Sequence, residues 1–489
     1  MGGLGPARQL HHDRPPLDEV ERREHRGARH RRIDPVHAER RDQQVGVGGA
    51  RDDHHRGTLL TLHLLEHPTT SSSDRRERAR RPGPRPPTVA SARRYGRLKL
   101  SWRTSVTDPS PSRFRRPLEG LLGTPATEGN HIEVLRDGEQ IFPAMLDAIA
   151  AAERTVDLLT FVYWTGDIAL RFADVLCERA SQGVRCRVIL DALGARHVDR
   201  DLVDRMRDSG VLFHWFRPFT KLSDPGHRTH RKVLICDERI GFTGGVGIAE
   251  EWDGTSDDGS GYRETQVRVE GPAVDGLRAA FADDWLDTDH PLLDERDRFP
   301  DLSGAGSSTA MVVRGESEMG RSDVAMLRHV LFELAEERVR ITTAYLAPDD
   351  ATIEILRRTA ARGVQVQLLV PGESSDKEVA RIAGENAYEP LLEAGVEIHH
   401  FTPSMLHAKV TTVDGEVGIV GSSNLNNRSM RLDEEVDLVV LDPEVVAELD
   451  AHTDADLERC DQVHLADWRE RGAGKRVPQL VVGLIDRWA

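Results

Sequence analysis

Two stretches of this chain repeat the same order of apolar and polar segments. The first contains FPAMLDAIAAAERTVDLLTFVYW, ADVLCERASQGVRCRVILDALG and MRDSGVLFHWF; the second contains VAMLRHVLFELAEERVRITTAYLA, IEILRRTAARGVQVQLLVPG and LLEAGVEIHHF. Each copy reads as an amphipathic helix, an apolar β-branched strand, a second helix closing at Gly183 or Gly363, and a further strand. Strands that are apolar on both faces and alternate with helices need cover on both sides. The expectation is a two-lobed α/β chain with pseudo-twofold symmetry, each lobe a mixed, largely parallel sheet flanked by helices.

Chemistry falls at equivalent points of this repeat. HRKVLICDERIGFTGGVGIAEEW follows the last strand of the first copy and HAKVTTVDGEVGIVGSSNL follows that of the second. Both hold His-x-Lys-x4-Asp, as His230, Lys232 and Asp237 and as His407, Lys409 and Asp414. Residues two apart on a strand share a face, so each His and Lys project together into a cleft. Each Asp falls at the exit from strand to turn, where an Asp side chain caps backbone donors. Fourteen residues beyond each His comes a Gly-containing turn, Gly244-Gly245 or Gly421-Ser422. A lone His-x-Lys is a weak signal, but two at matching points of an independent repeat are a strong one.

The repeat also supplies a pair of carboxylates. Glu264 opens ETQVRVEGPAVDGL and Glu435 opens EVDLVVLDPEVVAEL, each eight residues before a proline, Pro272 or Pro443. Their different distances from the two histidines are accounted for by a loop insertion around DGTSDDGSG. Such a carboxylate can fix the second nitrogen of a working imidazole. The halves differ at one point: Asn424 stands seventeen residues after His407, and Gly247 seventeen after His230.

At these residues the chain resembles the phospholipase D superfamily, whose members carry two such HKD motifs, and within it the bacterial cardiolipin synthases. The resemblance covers about residues 128–489 and includes both motifs, the FTGG and GSSN turns and the strand GVRCRVILDALG. It implies two related domains with one active site at their interface. It also implies that one neutral imidazole attacks phosphorus to form a phosphohistidine while the other, protonated, donates to the leaving alkoxide and then deprotonates the acceptor. By this resemblance His230 is the nucleophile and His407 the general acid/base; the repeat alone is symmetric between the two assignments. Lys232 and Lys409 would hold the phosphoryl oxygens, with Gly245, Ser422 and Asn424 as further phosphate donors. Either a backbone N–H at Gly247 takes the place of the missing amide, or the first half contributes one donor fewer.

The implied activity is phosphatidyl transfer between phospholipids such as phosphatidylglycerol, with no cofactor and no bound metal. Three alternatives stay open: a phospholipase D hydrolase making phosphatidic acid, a phosphodiesterase or nuclease of the same superfamily, and a non-catalytic lipid-binding protein. Charge bears on the nuclease. The chain has a net charge of -16, but residues 1–116 hold 26 Lys+Arg against 14 Asp+Glu, which leaves 40 against 68 in the remainder, a balance of -28. An acidic body lacks the basic track that nucleic acid requires, so no nucleic-acid partner is expected.

Residues 1–116, with runs such as RREHRGARHRR, lack helical or strand periodicity and read as a disordered basic segment. As a functional arm it would meet anionic lipid or nucleic acid. The stronger reading is a GC-rich upstream region translated past a start near Val106. Residues 117–305 then form the first domain, and residues 306–489 the second with a helical C-terminal tail. No stretch reaches the roughly 18 to 20 apolar residues needed to span a bilayer. The expectation is therefore a cytoplasmic protein, peripheral at the inner face of the cell membrane. Two segments offer contact with lipid: the tail VPQLVVGLIDRWA, equally able to dock on the protein's own core, and the aromatic, basic loop WFRPFTKLSDPGHRTHR. Four scattered cysteines, Cys177, Cys186, Cys236 and Cys460, form no C-x-x-C pair and read as buried thiols. His227 reads as a loop residue, and the His399-His400 pair lacks the ligand spacing of a metal site.

Overall fold

A computed structural model describes residues 112–218, 227–315, 322–375 and 378–471. The first half runs α1 (Arg115–Leu122), β1 (Thr127–Arg136), α2 (Asp137–Ala151), β2 (Thr155–Thr160), α3 (Asp167–Ser181) and β3 (Arg185–Asp191). It continues through α4 (Arg200–Asp208), β4 (Leu212–Phe216), β5 (Val233–Cys236), β6 (Ile240–Gly244), β7 (Thr265–Glu270) and α5 (Val274–Trp285). The second half repeats this order as β8 (Ser308–Gly315), α6 (Asp323–Leu334), β9 (Arg338–Thr342), α7 (Asp350–Ala361) and β10 (Gln365–Pro371). Then come α8 (Glu378–Gly384), α9 (Tyr388–Glu393), β11 (Glu397–Phe401), β12 (Val410–Val413), β13 (Val417–Gly421), α10 (Asn427–Arg431), β14 (Glu435–Val440) and α11 (Pro443–Leu457). Strand β15 (Cys460–Val463) and helix α12 (Leu465–Glu470) follow.

The strands join in the order β15-β11-β10-β9-β12-β13-β14-β8-β1-β7-β6-β5-β2-β3-β4. The two copies meet where β1 pairs antiparallel with β8, and the order reads the same outward from that junction apart from β15. The sheet is mixed, as expected, but the expectation that it is largely parallel needs correction. Parallel ladders between the named strands are confined to β2-β3-β4 and β9-β10-β11, which helices connect. The other ladders are antiparallel because several of their connections are too short for a crossover. In the β5–β6 hairpin Cys236 pairs with Ile240, and in the β12–β13 hairpin Val413 pairs with Val417. Both turns place Asp237 (φ 52°) and Asp414 (φ 53°) in the left-handed region, which Asp tolerates better than most residues. Helices α3 and α7 stop just before Gly183 and Gly363, whose φ of 90° and 92° reverses the chain.

Three apolar layers follow. Ile141, Phe142, Phe172 and Leu176 pack α2 and α3 on the outer face of the first half, and Leu327, Leu331, Ile355 and Leu356 pack α6 and α7 on that of the second. A shared core contains Val233, Ile235 and Val267 from the first half, Val410, Val420 and Val436 from the second, and residues of α5 and α11. Neither half can bury this inner face alone. Helix α1 belongs to the first half by sequence but packs with the second: Phe114 and Leu118 are fully buried in the cluster that holds Leu327 and Leu331. Ordered structure thus begins before residue 117, within the stretch whose lack of periodicity suggested disorder. The tail VPQLVVGLIDRWA and most of the remainder of residues 1–116 lie outside the described residues, as does the middle of the aromatic, basic loop.

Candidate active site

The segments leading into β5 and β12 carry the two His-x-Lys pairs, and each segment is gripped by the opposite half. Thr229 bridges to Glu434, and Arg263 to Leu406. The His230 N–H donates to the Glu434 carbonyl at 2.8 Å, and the His407 N–H to the Arg263 carbonyl at 2.8 Å. The residue after each gripping carbonyl is the carboxylate that the repeat singled out. Two buried guanidinium groups lock the arrangement. Arg231 donates to the Gly315 carbonyl and to Asp284 at 3.0 Å, and Arg263 donates to Asp456 at 2.8 Å. A buried charge is tolerable only when paired in this way.

The carboxylates serve the histidines crosswise. His230 Nδ1 lies 3.1 Å from both oxygens of Glu435, and His407 Nδ1 lies 2.6 Å from Glu264 Oε2. Both Glu side chains are fully buried, while the His230 and His407 side chains retain 13% and 7% exposure. At His230 this leaves Nε2 as the reactive nitrogen, while at His407 the Lys409 Nζ lies 2.9 Å from Nδ1 and 3.3 Å from Nε2. Lys232 and Lys409 are buried beside them, each donating to the carbonyl of its own motif's His.

The surroundings of the two pairs differ. Burial drives the His230 imidazole down to about 4, even though Glu435 pulls the other way. Burial alone would raise Glu435, but His230, Lys232 and the Ser422 hydroxyl hold it at about 2. This pair is a neutral imidazole beside an ionised carboxylate at neutral pH. Glu264 is pushed up to about 7 by burial, against the pull of Lys409, the Thr265 N–H and the Trp252 indole. Burial also brings Lys232 down to about 7, a charge that an arriving phosphodiester anion would restore.

Asp237 and Asp414, the third residues of the two motifs, which the shared HKD pattern also makes candidates for the catalytic set, lie at the far ends of β5 and β12 from the lysines. Asp237 accepts the backbone N–H groups of Glu153, Arg154 and Thr155 at 2.7 to 2.9 Å, and Asp414 those of Glu336, Glu337 and Arg338 at 2.7 to 2.9 Å. Each ties a hairpin to the start of the neighbouring strand, β2 or β9. Three residues grouped with the phosphate also have other partners. The Ser422 hydroxyl donates to Glu435, the Asn424 side-chain oxygen accepts the Tyr345 N–H at 3.3 Å, and a Cβ on Gly245 would stand 2.5 Å from Glu264 Oε1. His227 Nδ1 contacts the Leu432 carbonyl at 3.0 Å; His399 lies 3.6 Å from Glu397, and His400 bonds the Tyr388 hydroxyl at 3.1 Å. Cys186 and Cys236 are buried, whereas Cys177 and Cys460 are partly exposed.

One contributor escaped the motif reading. Trp252, in a short 3-10 turn at Glu250–Trp252, donates its indole N–H to Glu264 Oε2 at 3.2 Å and packs edge-on to His407 with ring centroids 4.9 Å apart. Tyr262 and Tyr345 also approach His407, each with a centroid distance of 6.1 Å. On the other side, only Phe161 stands against the His230 ring among the described residues, at 5.1 Å. The aromatic residues in GIAEEWDG and SGYRET carried no spacing signal that linked them to the motifs.

The family model described as "Cardiolipin synthase, PLD-like domain" matches residues 145–285 and 330–457. Cardiolipin synthase A of Pseudomonas aeruginosa is 32% identical over 399 residues, covering 78% of this chain and 80% of that protein. Cardiolipin synthase 1 of Bacillus anthracis is 29% identical over 404 residues, covering 80% of this chain and 78% of that protein. The crystal structure of phosphatidylserine synthase from Haemophilus influenzae superposes with a TM-score of 0.58 at 15% identity, covering 77% of this chain and 97% of that one. That likeness is one of fold.

Proposed function

The chain belongs to the cardiolipin synthase family with the phospholipase D-like domain, and from this premise we propose that it is a cardiolipin synthase-like phosphatidyltransferase working through a phosphohistidine on His230. The observation that carries the reading is the crossed pairing of His230 with Glu435 and His407 with Glu264 in unlike surroundings. One imidazole is kept neutral, as a nucleophile must be. The other faces a carboxyl group poised near neutrality, as suits a group that gives and takes a proton.

A phosphodiester seated between the halves presents phosphorus to His230 Nε2. As the N–P bond forms, the bond from phosphorus to the glycerol oxygen breaks on the opposite side, and His407 gives that oxygen its proton. Glycerol leaves. The hydroxyl of a second phosphatidylglycerol then enters the same position and returns a proton to His407 while it attacks phosphorus. His230 is released, and two phosphatidylglycerols have become cardiolipin and glycerol. Lys232 and Lys409 neutralise the non-bridging oxygens, whose charge grows in each transition state.

Among the described residues no helix is long and apolar enough to cross a membrane. Peripheral attachment at the cytoplasmic face belongs to the proposal; a phospholipid substrate supports its membrane part. The test is incubation of the full chain with phosphatidylglycerol vesicles, with products resolved by mass spectrometry. Cardiolipin and free glycerol are expected. Phosphatidic acid alone would make water the acceptor and overturn the transferase reading; intact lipid beside a cleaved oligonucleotide would overturn the lipid substrate.

A further inference from the structure

The halves hold their catalytic carboxylates by different means. In the second half, Ser422, fifteen residues after His407, donates its hydroxyl to Glu435, the partner of His230. The equivalent position in the first half is Gly245, which has no hydroxyl to offer Glu264. There is also no room for one, because a Cβ at Gly245 would sit 2.5 and 2.7 Å from the two Glu264 oxygens. The carboxylate itself occupies the place that a serine would fill. Two residues further on, a Cβ at Gly247 would lie 2.9 Å from Val162 Cβ and 3.1 Å from the far edge of the Trp252 indole. Its counterpart, Asn424, instead fills that position with an amide. The space left by both glycines is thus shared by Glu264 and Trp252, and the indole N–H meets the carboxylate.

Resting on the phosphatidyltransferase reading, we propose that Trp252 is a positioning residue: its indole N–H replaces the missing serine hydroxyl and holds Glu264 against His407, and Gly245 and Gly247 are small to admit it. Trp252 is 3% exposed, so the bond is shielded from water, and a shielded hydrogen bond to a carboxylate is worth more than an exposed one. Glu264 has other neighbours: it accepts the Thr265 N–H at 3.0 Å, lies against His407 and faces the charges of Lys409 and Arg263. Of the two side chains hydrogen-bonded to it among the described residues, His407 and Trp252, Trp252 is the one outside the motifs and outside the proton transfer.

The consequence falls on protonation of the leaving group. Without the indole N–H, Glu264 can turn away from His407, and general acid catalysis weakens while attack by His230 does not. The test compares Trp252→Phe with the unsubstituted protein on two substrates. Phosphatidylglycerol has a poor leaving group that needs the proton; phosphatidyl-p-nitrophenol has a good one that hardly needs it. Turnover of phosphatidylglycerol is expected to fall about tenfold with KM little changed, as for loss of one hydrogen bond to a charged group. Single-turnover release of p-nitrophenolate should stay within about twofold. Equal loss on both substrates would mean that Trp252 is merely structural, and no loss on either would remove it from the site; each result overturns the inference. Gly245→Ser and Gly247→Asn, which restore the residues of the second half, should lower phosphatidylglycerol turnover, and full activity in both would also sink it. If the unsubstituted protein releases no p-nitrophenolate, the phosphatidyltransferase reading itself fails first.

Discussion

His230 and His407 stand at matching places in the repeat, yet burial and partners give them different work. His230→Ala removes the nucleophile and His407→Ala the proton carrier. Each is expected to reduce turnover at least about a thousandfold while the circular dichroism spectrum is kept; substantial turnover in either would refute the mechanism. Beside the proton carried by His407, two residues shape the pH dependence. His230 must be neutral to attack, so kcat/KM falls on the acid side as it takes up a proton near 4. Lys232 must be charged to receive the phosphate, so kcat/KM falls on the alkaline side as it loses its proton near 7. The expected profile is a bell centred on the acid side of neutrality. A profile still rising at pH 9 would show that Lys232 keeps its charge despite its burial.

At the scale of elements, the motif aspartates are fasteners. Asp414 ends β12 and binds three N–H groups at the entrance to β9; charge-assisted bonds of this kind are strong ones. Asp414→Ala should cost about 2 kcal/mol of stability, read by urea denaturation, while turnover of the folded fraction stays within about twofold. A large loss of turnover at unchanged stability would return Asp414 to the chemistry. The strands at which these residues act are short and fully buried, which is why their periodicity was legible as core but not as pairing direction. Sheet direction depends on connection length, and two turns of three residues force the antiparallel ladders that apolar composition alone does not reveal.

For the whole described body, the shared core and the crossed His–Glu pairs make the halves one folding unit. Valines of both halves fill the same layer, and α1 crosses from the first half to pack on the second. Calorimetry of the full chain should show one cooperative transition for this body, with the van't Hoff enthalpy equal to the calorimetric one. Two resolved transitions would mean that each lobe folds alone.

The repeat, the two His-x-Lys pairs and the two glutamates were all legible in the residues, because each depends on spacing along one copy, and spacing is what a sequence records. So was the capping role of Asp237 and Asp414, which follows from their place at a strand's end. The tertiary structure alone decided which glutamate serves which histidine, that Ser422 faces Glu435, and that Trp252 replaces it beside Glu264. The His–Glu pairings join residues from different copies, Ser422 and Glu435 meet across neighbouring strands of one copy, and Trp252 comes from a turn outside both motifs. They are set by how strands align across one sheet and how its two halves pack around a common core, a geometry that no local pattern encodes.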